Sequence, residues 1–166
     1  MKASDRRKFL KIAAAAAIPA VGCRRAGGGW RFFTHAEAET VNALCEQIIP
    51  ADQEPGAAWA GVVYFIDRQL TGRYREFQPV YRRGIAEVDR RAREHHGKRF
   101  VELAFAQQTE ILRAMERDEF FNVVVAHTMQ GFYGGPRHGG NRDAVSWKML
   151  GVPAPPVRGR LQIKLL

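Results

Sequence analysis

From Val41 to Leu150 apolar side chains recur at helical spacing. Val41, Leu44, Cys45, Ile48 and Ile49 fall at i, i+3, i+4, i+7 and i+8, one face of a helix. Thr34-His35-Ala36-Glu37 ahead of them has capping-box spacing, and Pro50 ends the run. A loop around Pro55-Gly56 leads to a second helix, expected from about Ala58 to Leu70, with Val62, Val63, Ile66 and Leu70 on one face and Thr71-Gly72 as its breaker. A third, from Glu76 to about His96, turns Phe77, Val80, Tyr81, Ile85, Val88 and Ala92 inward beneath a heavily charged outer face. Gly97 is its cap, and His95-His96 reads as a frayed end. Phe100 and Leu103 open a shorter amphipathic stretch before a fourth helix through Gln108, Ile111, Leu112 and Met115. The fifth, Asp118 to about Gly131, carries Phe120, Phe121, Val124, Val125 and Thr128. No useful alternating strand pattern and no internal repeat interrupts this. The pattern predicts a small all-α domain of about five main helices.

After the fifth helix the character changes. The thirteen residues Gly131 to Asp143 hold five glycines and two aromatics, a density that calls for positive φ or for backbone pressed close against something. The stretch lacks a preceding strand, the Gly-Lys-Ser/Thr ending and the Rossmann spacing, which argues against a phosphate cradle. Asn141 or Asp143 is a candidate cap for a short helix holding Val145, Trp147 and Leu150, which Gly151-Val152-Pro153 stops. Pro153, Pro155 and Pro156 then exclude further helix, so the tail is expected to extend away and to gain order only on a partner.

The N-terminus carries an address. Arg6-Arg7, Phe9-Leu10 and Lys11 precede the apolar run Ile12 to Val21 in the order of a twin-arginine export signal, which they resemble. That run is about half the length a membrane-spanning helix needs. Ala20-Val21-Gly22-Cys23 loosely resembles the box before a lipid-modified cysteine, making Cys23 a candidate for acylation and a membrane tether. The division expected is signal 1–22, linker 23–32 around Gly27-Gly28-Gly29, helical domain 33–153 and basic proline-containing tail 154–166.

This division changes what the net charge of +9 means. Residues 1–22 hold five basic groups and one acid, leaving 21 basic against 16 acidic groups from Cys23 onward, or +5. Residues 23–130 are neutral, with 15 of each sign, and the surplus lies in 131–166: Arg137, Arg142, Lys148, Arg158, Arg160 and Lys164 against Asp143. A basic end on a neutral body suits an acidic protein or anionic lipid headgroups and argues against nucleic acid.

Candidate chemistry is sparse. Of the two cysteines, Cys45 sits on an apolar helix face and reads as a small buried hydrophobe; a Cys23–Cys45 disulfide is the alternative. His127, His138 and Asp143 are the best residues for a metal or acid–base cluster, and carry the alternative of a self-sufficient exported enzyme or metal protein. Against it, a glycine loop rather than i, i+4 spacing separates the histidines. His127 is expected to be satisfied by a backbone carbonyl and His138 to be solvent-exposed. Asp52 and Asp67 read as caps or salt-bridge partners, and no serine or cysteine stands in a nucleophile context.

Two blocks carry a family resemblance. One runs from Phe120-Phe121 through His127-Thr128, Gly131-Phe132-Tyr133, Pro136, Gly139-Gly140-Asn141 and Trp147 to Gly151-Val152-Pro153. The other is Ile48-Ile49-Pro50-Ala51-Asp52, Pro55-Gly56-Ala57, Ala60-Gly61-Val62 and Phe65-Ile66-Asp67 through Leu70. Together, over roughly 33–153, they resemble the small subunit (subunit 3, or gamma) of the membrane-bound gluconate 2-dehydrogenase family. Ala154 departs where another glycine is usual, leaving the path of the tail open, and Glu46 where aspartate is common.

The resemblance implies an accessory chain that binds no cofactor and has no catalytic residue. Its expected partners are a large FAD-bearing subunit of the glucose–methanol–choline type, oxidising a sugar, sugar acid or related alcohol, and a multihaem cytochrome c subunit that takes the electrons. The large subunit would cross folded, with FAD inserted, on this chain's twin-arginine signal through the twin-arginine (Tat) translocase, which places the complex in or facing the periplasm. Phe132, Tyr133, Pro136, Gly139, Gly140, Asn141 and Trp147 are then candidate partner-binding residues, with Tyr133 or Trp147 as anchors. The alternatives are that these aromatics only cover the end of the core, and that the chain is a lipid-tethered scaffold unrelated to redox chemistry.

Overall fold

The computed structural model describes residues 29–153; the arginine pair, Cys23 and the tail from Ala154 lie outside the described residues. Among the described residues six α-helices follow in order: α1 His35–Ile48, α2 Val62–Leu70, α3 Gln78–His96, α4 Phe105–Arg113, α5 Glu119–Tyr133 and α6 Val145–Met149. No strand occurs among the described residues, so the fold is all-α as the periodicity predicts.

The caps explain where the elements stop. At the start of α1 the capping box forms as spaced, Thr34 Oγ1 accepting from the Glu37 amide at 3.3 Å and Glu37 accepting from the Thr34 amide at 2.7 Å. Gly97 ends α3 in the left-handed region at φ 68°. Its last turn is complete rather than frayed, and His96 packs half-buried with Nε2 3.7 Å from a Glu110 carboxylate oxygen.

Other boundaries move. α2 begins at Val62, not near Ala58, because Gly61 takes φ 72° and separates a tight turn at 57–61 from the helix. α3 starts at Gln78 after a 3₁₀ turn at Arg75–Phe77. α5 runs through Gly131 to Tyr133, so Phe132 and Tyr133 belong to the helix and not to the loop. Gly131 persists there because α2 presses on it: a Cβ would lie 2.9 Å from both Phe65 Cδ1 and Val62 Cγ1. α6 ends one residue before Leu150.

α5 lies against α2, α1 and α3, while α4 packs on α3 and α1. Tyr81, Phe100, Phe132, Leu44, Ile66, Leu70 and Met115 are the largest fully buried side chains in the single core between them.

Candidate functional site

Four places hold the side chains that bear on function. The first is His127, buried in α5. Its ring stacks on Tyr74 at 4.2 Å between centroids and lies parallel to Tyr81 at 5.9 Å, with Phe77 edge-on. Nδ1 is 3.1 Å from the Tyr81 hydroxyl, so that side chain, rather than the expected backbone carbonyl, satisfies it. Burial pushes the imidazole down to about 4 from an ordinary 6.5. His138 is exposed and takes a bond from Arg137 Nε at 3.0 Å. The structure therefore does not bring the two histidines together, and among the described residues no three His, Cys, Asp or Glu side chains converge as metal ligands. Cys45 is fully buried, as its position predicts; it accepts from Thr128 Oγ1 at 3.3 Å, and its thiol is pushed up to about 12 by burial. The Cys23 end of the alternative disulfide lies outside the described residues.

The depressed His127 sets a pH dependence. The unfolded chain takes the proton near pH 6.5 and the folded chain only near 4, so this stability is complete above the unfolded value and is lost as pH falls from about 6.5 to about 4. The loss is expected to reach about 3 kcal/mol at its largest. Urea unfolding at pH 7.5, 5.5 and 4.5 checks it. His127→Gln keeps an acceptor for Tyr81 and cannot titrate, so its stability should fall less across the window; an equal fall in both proteins would clear His127 of the effect.

The second place is Asp67. It is 3 % exposed within α2 and accepts three consecutive backbone amides, Arg31 at 2.7 Å, Phe32 at 2.9 Å and Phe33 at 3.0 Å. Among the described residues it is neither a helix cap nor a salt-bridge partner; it is the clasp that holds the segment entering α1. Arg82 completes that hold, donating to the Phe32 carbonyl at 2.9 Å, lying 4.1 Å over the Phe32 ring and pairing with Glu37. Asp52, by contrast, makes a local turn bond to the Glu54 amide at 2.8 Å. Glu46, the departure from the common aspartate, ties down the proline loop through the Ala51 and Ala58 amides at 2.7 and 2.9 Å.

The third is the glycine-rich loop. Gly140 touches the α5 backbone so closely that a Cβ would fall 2.2 Å from the Gly131 carbonyl oxygen. Asn141, fully buried, donates to the Gly134 carbonyl at 2.8 Å and accepts from the Ser146 amide at 3.0 Å, so it splints the loop to α6. Trp147 Nε1 donates to the Tyr133 carbonyl at 2.9 Å. Of the seven candidate partner-binding residues, Phe132, Asn141 and Gly140 are buried inside this chain. Pro136, Gly139 and Trp147 are half-buried, and Tyr133 is 41 % exposed. The glycines are thus used first on the chain's own helices.

The fourth place is an aromatic face that the sequence reasoning passed over. Trp30 stacks on Tyr64 at 4.7 Å, and the Arg142 guanidinium lies 5.6 Å from the centre of the Trp59 ring. The signal was present: Tyr64 occupies the outward side of α2, where a polar residue is the ordinary choice.

The family model for gluconate 2-dehydrogenase subunit 3 matches residues 35–153. No curated protein and no solved structure matches the chain. The chain belongs to the gluconate 2-dehydrogenase subunit 3 family, and is thereby a subunit of a dehydrogenase complex.

Proposed function

We propose that this member of the gluconate 2-dehydrogenase subunit 3 family is a non-catalytic escort. On this proposal it carries a folded, FAD-loaded dehydrogenase subunit across the membrane and stays bound to stabilise it. The observation that carries the proposal is the family match over nearly the whole helical domain, 35–153, directly behind a twin-arginine stretch. The site geometry supports it. Three titratable groups are spent on the fold: His127 inside an aromatic stack, Asp67 on backbone amides, Cys45 as a raised, buried thiol. The partner is a flavoprotein of the glucose–methanol–choline type acting on a sugar, sugar acid or related alcohol, with a multihaem cytochrome c as electron acceptor and the periplasm as destination. A flavin seated in the cytoplasm requires a route for folded proteins, which is what Arg6-Arg7 would supply.

Co-expression with the flavoprotein encoded beside this chain tests the proposal. With Arg6-Arg7→Lys-Lys, periplasmic flavoprotein is expected to drop to background while the cytoplasmic pool holds FAD. Equal export in both cases sinks the escort role.

A further inference from the structure

The escort proposal leaves open which surface of the chain meets its partner. Large exposed apolar side chains are informative where they gather with cationic ones. Trp59 and Tyr64 are 44 % and 48 % exposed, and both belong to the face that also carries Trp30 and Arg142. Tryptophan, tyrosine and arginine are the residue types that dominate binding energy at protein interfaces, the first two because they give a large contact area and a polar group at low entropic cost, arginine because its planar guanidinium both stacks and pairs with carboxylates.

The backbone beside Arg142 adds an independent observation. Asn141, Asp143 and Ala144 take φ of 49°, 54° and 55°, three non-glycine residues in the left-handed region around one arginine. Ala144 is the strained one above all, since it lacks the short polar side chain that eases Asn and Asp into this region. The fold over-determines the turn all the same: the Arg142 amide donates to the Ala60 carbonyl at 3.0 Å and the Ala144 amide to the Asn141 carbonyl at 2.9 Å. The first of these bonds fastens Arg142 to the 57–61 turn that bears Trp59. A Cβ on Gly61 would lie only 3.6 Å from Arg142 Nη2. The turn thus sets where the Arg142 side chain starts, and its guanidinium lies 5.6 Å from the centre of the indole.

Charge identifies what the face would accept. Arg142 and the neighbouring Arg68, whose side chain packs on Gly139, meet no carboxylate among the described residues. Next to them α1 and α2 enclose an open cleft of about 220 Å³, lined by Trp30, Ala38, Asn42, Val63, Tyr64 and Arg142 among others. The cleft's carboxylate, Glu39, is already engaged by His35 and Arg99, each at 3.3 Å. The face therefore pairs unneutralised guanidinium with aromatic walls and a hole of about one side chain's size.

We propose that the Trp30–Tyr64–Trp59–Arg142 face docks an acidic loop of the flavoprotein subunit, an apolar side chain entering the cleft and a carboxylate meeting Arg142. The proposal rests on the escort function above and assigns the surface that performs it. Affinity of the full chain for the purified flavoprotein subunit tests it. Arg142→Glu and Trp59→Ala are expected to weaken capture at least about tenfold, and Arg142→Lys less. Arg90→Glu, on the charged outer face of α3, should leave capture unchanged. Rising salt should weaken wild-type capture more than that of Arg142→Ala. Circular dichroism confirms folding, and Arg142→Glu is the informative variant if Trp59→Ala misfolds. Unchanged capture by folded Arg142→Glu, with wild type binding well, overturns this surface and leaves the escort function standing. No capture by wild type overturns both. Binding to phosphatidylglycerol vesicles that Arg142→Glu abolishes, with flavoprotein capture untouched, assigns the face to a membrane and overturns the proposal.

Discussion

Asp67→Ala is expected to cost about 3–5 kcal/mol, a large share of the stability of a domain this size. The carboxylate is buried and serves the amides of Arg31, Phe32 and Phe33 at once. Alanine offers none of them an acceptor. With Phe33 inside the core and Phe32 packed against it, those donors stay shielded from water unless the segment peels away. Asp67→Asn should fall between: its carbonyl oxygen still serves Phe32 and Phe33, but its NH₂ would face the Arg31 donor. Chemical denaturation gives the ranking wild type, Asn, Ala. Amide exchange at residues 31–33 gives the location, with protection lost there first. A shift below about 1 kcal/mol with protection retained at 31–33 would show that the segment is held by its aromatics alone. The consequence for the proposed escort is mechanical. The clasped segment joins the twin-arginine stretch to the helical body, so Asp67 and Arg82 are where a pull on the leader would reach the core.

How much of this was legible depended on the kind of bond involved. Apolar periodicity marked α1 to α5, because core faces repeat in one sequence. The Thr34 box and the Gly97 cap were legible because caps are local in the chain. Asp67 was not, since its partners are backbone amides 34 to 36 residues away and no side-chain pattern marks them. The early start expected for α2 had a related cause: Ala58-Trp59-Ala60 has helical composition, and only the positive φ of Gly61 stops the helix short. The candidate site was read in part. The glycine-rich loop stood out, whereas the aromatic face did not, because Trp30 meets Tyr64 only through the packing of α2 on the segment before α1, and Trp59 meets Arg142 only through the loop after α5.

Gly140→Ala is the second substitution expected to act strongly, and the reason separates it from Gly131. A methyl at 140 would meet the Gly131 carbonyl oxygen at 2.2 Å and its carbon at 2.9 Å, atoms of a helix backbone that no rotamer change can move. At Gly131 the same methyl meets side chains of Phe65 and Val62, which can shift. Gly140→Ala should therefore cost about 3 kcal/mol, with Gly131→Ala costing less. The damage should be local in order. Losing the Gly140 contact frees Asn141, which holds Gly134 and Ser146, and with it the seating of Trp147 on Tyr133. Limited trypsin digestion is expected to cut the variant faster at Arg137 and Arg142 while α1 to α5 stay intact, and Trp147 should become more exposed. Because Arg142 follows two residues later, flavoprotein capture should fall with the loop even at temperatures where the helices hold. Wild-type digestion kinetics in folded Gly140→Ala would show that the loop stays ordered with a methyl against α5, and that its glycines are kept for a surface beyond this chain.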